Sequence, residues 1–200
     1  MNTVIQRAAR YVTHLYRERL PAAYTYHNLA HTQAVVRAAD MIGLHEELST
    51  EAQQLVTLAA WFHDVGYLSD AARHEYHSER LARAFLALHH LSSAQIETVA
   101  ACIRATRMPQ MPDCPEAAVL CDADLYYLST STYPDGQQRL RDEWAGVLQR
   151  RYTDDEWRQL NGVFFSQHRY HTAYGRTVLA PRKKAQFAEW LVRGDQFRTL

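Results

Sequence analysis

The sequence predicts an all-α protein folded as a single compact bundle of several helices. Three observations carry this. Apolar residues recur at three- and four-residue spacing along almost the whole chain, no stretch alternates β-branched with polar residues, and only seven glycines occur in 200 residues. A chain of this length can bury a proper core as one domain.

The elements follow in order. An amphipathic stretch from about Val4 to Leu20 stops at Pro21. A second, from about Asn28 to Leu44, sets Ala30, Ala34, Val35, Ala38 and Met41 on one stripe. Thr50-x-x-Gln53 has the form of a capping box opening a third helix, Glu51 to about Asp64. Its LVTLAAWF run is apolar on most sides, which makes it central, and Gly66 ends it. A fourth helix, about His74 to His90, carries Leu81, Ala82, Phe85 and Leu88 inward. Ser92-x-x-Gln95 caps a fifth that runs to about Arg107. RMPQMPDCP contains three prolines and reads as a loop, with Pro115 starting the helix of EAAVLCDADLYYL. TYPDG, residues 132–136, reads as a turn. Thr153-x-x-Glu156 caps a late helix through Phe165, and a last helix covers roughly Arg182 to Val192. No repeat or long linker divides the chain.

Bulk properties exclude several functions. Lys+Arg and Asp+Glu number 22 each, so the formal charge is zero and the basic footprint of a nucleic-acid partner is missing. The run LVTLAAWF falls far short of the ~20 apolar residues of a membrane span. The opening MNTVIQRAARYVTHLYRERL alternates polar and apolar residues, unlike a signal peptide. Cys102, Cys114 and Cys121 are odd in number and lack CxxC spacing, so they read as ordinary thiols of a reducing cytosol. The expectation is a cytoplasmic protein with no membrane or nucleic-acid partner, and a homodimer as the default assembly.

The unusual number is eleven histidines, several of them grouped. TYHNLAHTQAVV places His27 and His31 four apart, on one face if a helix begins at or soon after His27. AAWFHDVGY sets His63 and Asp64 at the end of the most apolar helix, and CDADLYYL interrupts another apolar helix with Asp122 and Asp124. Buried carboxylates and imidazoles are costly unless paired or bound to metal. Imidazole nitrogen with carboxylate oxygen suits a divalent first-row metal and leaves positions for water and substrate. A lone inward histidine is usually a hydrogen-bonded core residue; here four such residues fall in order on helices expected to be buried. The physical reading is a cation site from His31, His63, Asp64 and one aspartate of DAD. Asp122 and Asp124 lie about 200° apart on a helix, and periodicity does not choose between them.

The order H…HD…D, carried by YHNLAHTQAVV, WFHDVGY and CDADL, resembles the HD-domain superfamily of metal-dependent phosphohydrolases. HEYHSERLARAFL also resembles that family's following helix. The resemblance covers roughly residues 24–130, leaving 131–200 as a C-terminal helical extension of one domain, 1–200. It implies an HD-like bundle with the metal site in its central cleft, and His31, His63, Asp64 and Asp124 as ligands. Asp124 is preferred on resemblance alone; Asp122 is its rival, kept as a hydrogen-bond acceptor for a ligand histidine. YHNLAH is similar to the motif of cyclic-nucleotide phosphodiesterases, where the first histidine protonates the leaving oxygen. His27, with Asp64, is therefore the catalytic pair.

The resemblance further implies a phosphohydrolase that cleaves a phosphate ester or anhydride of a nucleotide-like small molecule by metal-activated water. Manganese, iron, nickel, zinc or magnesium would serve. His74, His77 and His90 (His89 beside it) are candidates for a second metal or for substrate, but CIRATR stands where many two-metal members carry a histidine, which favours one ion per chain. Arg104, Arg107 and Lys184, with Lys183, are candidate phosphate ligands; Arg80 and Arg176 are weaker ones. His168, His171, Tyr170 and Tyr174 could line the mouth, whereas His14 and His45 read as surface. Two other classes compete: a non-catalytic nucleotide-sensing module and a diiron oxygenase of the same superfamily.

Overall fold

The computed structural model describes residues 1–196. Among them there is no strand, and the helices are α1 (Asn2–Arg19), α2 (Leu29–His45), α3 (Thr50–Phe62), α4 (His74–Leu88), α5 (Ser93–Ala105), α6 (Pro115–Asp124), α7 (Tyr133–Val147), α8 (Asp154–Gln167) and α9 (Ala180–Gln196). Tight single turns at Val65–Leu68, Ala71–Arg73 and Tyr126–Ser129 join some of them, and a wide turn at Gly175–Leu179 leads into α9. No helix among the described residues is long and apolar enough to cross a membrane.

The apolar run of α3 is central, as its composition requires. Val56, Leu58, Ala59, Ala60 and Phe62 are wholly buried, and α3 packs against α1, α2, α5 and α6. A side chain the size of Val56, Leu58 or Phe62 stabilises the fold by about 1.5–3 kcal/mol when fully buried. On α2 the buried face is Val35, Val36, Ala39 and Ile42, whereas Ala30 and Ala34 of the expected stripe stay exposed. A second, smaller cluster joins Leu125, Leu128, Tyr133 and Phe165, with Phe164, Phe187 and Trp190 packed on it. This cluster ties α7, α8 and α9 to the turn after α6.

Local signals are mostly honoured. Ser92/Gln95 and Thr153/Glu156 form reciprocal capping boxes. The expected Thr50 cap is displaced by one residue: Ser49 caps α3 by accepting from the Ala52 N–H at 3.2 Å. TYPDG is not a turn but the start of α7. Pro134 occupies the first helical turn, where its missing N–H costs no bond. Gly136 there lies flat on the Tyr127 ring; an added Cβ would come within 2.9 Å of it. His90 closes α4 in the left-handed conformation (φ 61°), its N–H donating to the Ala87 carbonyl at 3.1 Å.

Candidate active site

The motif YHNLAH folds around Asn28. Its Oδ1 accepts from the N–H groups of Ala30 (3.0 Å) and His31 (3.3 Å), capping α2, while Nδ2 donates to the carbonyl of Thr25 at 3.0 Å. Because α2 begins at Leu29, His27 precedes the helix and does not share a helical face with His31. The two rings still lie 5.8 Å apart, brought together by the cap turn.

His63 ends α3 and is fully buried; its Nδ1–H donates to the Ala60 carbonyl at 2.8 Å, which leaves Nε2 as a bare lone pair. Asp64 follows at φ −109°, ψ 0°, and the chain turns away at Gly66. That glycine is required by close approach: a Cβ would lie 1.9 Å from the His74 carbonyl oxygen. Its N–H donates to Ser78 Oγ at 2.8 Å, which holds α4 against the turn.

Four ligand-type atoms then converge. Asp64 Oδ2 lies 3.2 Å from both His31 Nε2 and His63 Nε2. Asp124 Oδ1 lies 3.2 Å from His31 Nε2 and 3.6 Å from His63 Nε2. The two Nε2 atoms are 3.4 Å apart. Donors about 2.1 Å from one ion, at right angles, stand about 3.0 Å from each other, so these spacings are those of an inner coordination sphere. Asp64 Oδ2 is buried with no hydrogen-bond partner, the orphaned acceptor that a cation would satisfy. The donor set therefore fits a divalent ion.

The electrostatics agree. Burial disfavours charge on His31 and His63, yet the carboxylates of Asp64 and Asp124 outweigh it and raise both imidazole pKa values. Burial would likewise raise Asp64 and Asp124, but His63 and His31 hold both below the usual carboxylate range. The cluster is built to hold positive charge.

Asp122 does something else. Its side chain points to the C-terminal segment and accepts from the N–H groups of His171 (2.8 Å) and Thr172 (2.9 Å) and from Thr172 Oγ1 (2.7 Å). Burial still lifts its pKa above the ordinary carboxylate value. It is thus not the acceptor behind a ligand histidine; for His63 that acceptor is the Ala60 carbonyl.

Sequence reasoning missed Glu143. This α7 residue is 2 % exposed; Oε2 accepts from the N–H groups of Tyr26 (2.8 Å) and His27 (2.9 Å), and Oε1 pairs with His27 Nδ1. The signal was a glutamate inside the stripe Leu140–Trp144–Val147, hidden because α7 was not recognised. His27 also stacks on Tyr67 at 4.3 Å, and Tyr67 stacks on His74 at 4.0 Å.

Of the remaining candidates, His74 is close: its Nε2 lies 3.7 Å from Asp64 Oδ1 and 3.5 Å from Glu75 Oε1. His90 sits at the far end of α4, spent on the helix cap, and His77 does not line the cavity of His27 and His74. Arg104 is turned outward and bridges Glu79 (2.8 Å) and Glu97 (2.7 Å), and exposed Arg107 shares that outer depression. Lys184 lies with Lys183, His168 and Arg176 on a separate cavity of about 580 Å³. These cations line other depressions, and none of the three lines a cavity that the histidine cluster borders. The cluster itself borders two cavities, a larger one with His27, Asp64 and Asp124 and a smaller one across His31 that includes Arg37.

Comparisons agree with this architecture. The crystal structure of a "predicted HD superfamily hydrolase" from an uncultured Thermotogales bacterium superposes with a TM-score of 0.62 at 16 % identity, over 97 % of this chain and 91 % of that one. At that identity the likeness is one of fold. Among curated proteins no sequence matches. The family model "HD domain" matches residues 28–127, the span that carries His31, His63, Asp64 and Asp124. The chain belongs to the HD-domain family.

Proposed function

We propose that the protein is a metal-dependent phosphohydrolase acting on a phosphate ester of a nucleotide-like small molecule. The observation that carries this reading is the convergence of His31, His63, Asp64 and Asp124 from the ends of three helices, with His27 at the rim of the same cavity. The Thermotogales protein of similar fold, a predicted HD superfamily hydrolase, is consistent with it.

His31, His63, Asp64 and Asp124 would hold one divalent ion, which when bound supplies Lewis acidity and lowers the pKa of a water. His63 is fixed for this by its hydrogen bond to Ala60, and His31 by its place in the first turn of α2. Glu143 fixes the orientation of His27 through Nδ1, leaving Nε2 for the reacting groups. As the ester P–O bond breaks and a water oxygen joins phosphorus, His27 gives a proton to the departing oxygen. From a monoester the products are the free alcohol and inorganic phosphate. Residues 1–200 act as one unit in this reading, because α7 and α8 supply walls of the cavity that the family-matched segment lacks.

Metal analysis together with phosphate release from a panel of phosphorylated metabolites tests the proposal. About one ion per chain and chelator-sensitive phosphate release are expected. Undiminished turnover by His63→Ala in the presence of chelator would sink it. Two irons per chain with oxygen consumption would instead indicate the oxygenase branch.

A further inference from the structure

Part of the wall of the cavity that holds His27, Asp64 and Asp124 is aromatic and comes from outside the family-matched segment. Trp144 from α7, with Trp157, Leu160 and Phe164 from α8, line this cavity of about 410 Å³ together with His27, Asp64 and Asp124. Trp144 and Trp157 meet edge to face at 5.5 Å. Trp144 and Phe164 are only partly buried, so ring surface faces the space. Flat π faces in the cavity of a phosphoryl site are a platform for stacking a planar ring.

Two further features narrow the ligand. Among the described residues no Lys or Arg lines this cavity, whereas Glu75 joins Asp64 and Asp124 on its wall. One phosphoryl group can be matched by the divalent ion and His27; additional phosphates would lie among carboxylates and apolar rings, where the remaining basic group, His74, already faces Asp64 and Glu75, and that is costly. The second feature is Gln137, a cavity residue only 2 % exposed. Its Nε2 donates to Tyr127 Oη at 3.1 Å, while Oε1 is buried with no partner. Exchanging the two amide ends would leave the nitrogen unpaired instead, so either assignment leaves one end for a ligand.

We infer that this cavity selects a phosphomonoester whose alcohol half carries a flat aromatic ring with a hydrogen-bonding edge, and discriminates against polyphosphates. Trp144 and Phe164 supply the ring platform and Gln137 reads the edge. This rests on the hydrolase reading for the chemistry, but the binding subsite is measurable without turnover. The smaller cavity across His31 is lined by Tyr126, Tyr127 and Arg37 but lacks His27, Gln137 and the tryptophans.

The test compares adenosine 5′-monophosphate, adenosine 5′-triphosphate and glycerol 2-phosphate on the manganese-loaded full chain. Affinity is followed by tryptophan quenching or calorimetry, and phosphate release is followed in parallel. The monophosphate should bind at least about tenfold tighter than glycerol 2-phosphate, the increment expected from stacking one ring, and tighter than the triphosphate. Trp144→Ala should erase that advantage while leaving glycerol 2-phosphate affinity unchanged, and Trp144→Phe should recover most of it. Equal affinity for the ringed and ringless monoesters, or a preference for the triphosphate, would overturn the inference whatever the variants do. A ring preference with no phosphate released from any ester would uphold the subsite and defeat the hydrolytic reading.

Discussion

Glu143 holds His27 from a part of the chain that the family match does not reach. One carboxylate oxygen takes the backbone N–H groups of Tyr26 and His27, and the other meets the imidazole Nδ1. The two residues are 116 positions apart, yet the carboxylate fixes both the backbone and the ring of the proposed acid. The C-terminal extension is therefore part of the cavity and not an appendage.

Replacing Glu143 by Gln keeps the volume but breaks that grip, since one end of an amide cannot accept. A misplaced proton donor costs up to about 100-fold in rate. We expect kcat to fall by about that order while KM and metal content change little, measured by steady-state kinetics and metal analysis. Unchanged kcat would remove Glu143 from the mechanism.

The two aspartates of DAD should separate cleanly. Asp124→Asn is expected to lose bound metal and turnover, because Asp124 faces the His31 and His63 nitrogens. Asp122→Asn should keep metal but lower stability by about 1–3 kcal/mol, the cost of spoiling a buried acceptor. Gly175 is so close that a Cβ would stand 2.1 Å from Asp122 Oδ2, so this contact leaves little room to relax. Metal analysis and urea melts of the two variants decide the assignment, and a metal-free Asp122→Asn protein would reverse it.

Arg104→Ala should leave kcat/KM for every phosphate ester within about twofold of the parent. Its guanidinium is engaged with Glu79 and Glu97 on the outer face, and partly exposed pairs of this kind contribute about 0.2–1 kcal/mol. A tenfold rise in KM would return Arg104 to the substrate site.

Acid stability should depend on His168. Burial, with Lys183, His171 and Arg169 close by, pushes its pKa down from 6.5 to about 3. The folded state thus leaves this imidazole neutral where the unfolded chain protonates it. Its stabilising contribution is complete above pH 6.5 and is lost progressively as pH falls toward about 3. Between pH 6.5 and pH 5 the loss is about 2 kcal/mol. A His168→Gln variant should show a flatter denaturation profile over that interval; an identical slope would refute the assignment.

Much of the helical framework was legible because its causes are local. The capping boxes at Ser92 and Thr153, the proline at 115 and the apolar run of α3 each act within a few residues, and each sits where the pattern put it. TYPDG was misread because turn chemistry and helix-start chemistry share proline, aspartate and glycine. Packing of Gly136 on Tyr127 chose the helix.

The order H…HD…D by itself pointed to the family and to a set of side chains suited to one cation, and apolar spacing by itself determined the helical class. Tertiary structure alone decided that Asp124 turns to the histidines while Asp122 anchors residues 171 and 172. It also brought Glu143 and the tryptophans to the cavity and carried Arg104 and Lys184 away from it. The reason is physical: helix formation and capping depend on neighbours a turn away. The partner of a buried carboxylate, by contrast, is fixed by which helices pack across 50 to 116 positions of chain, where periodicity carries no signal.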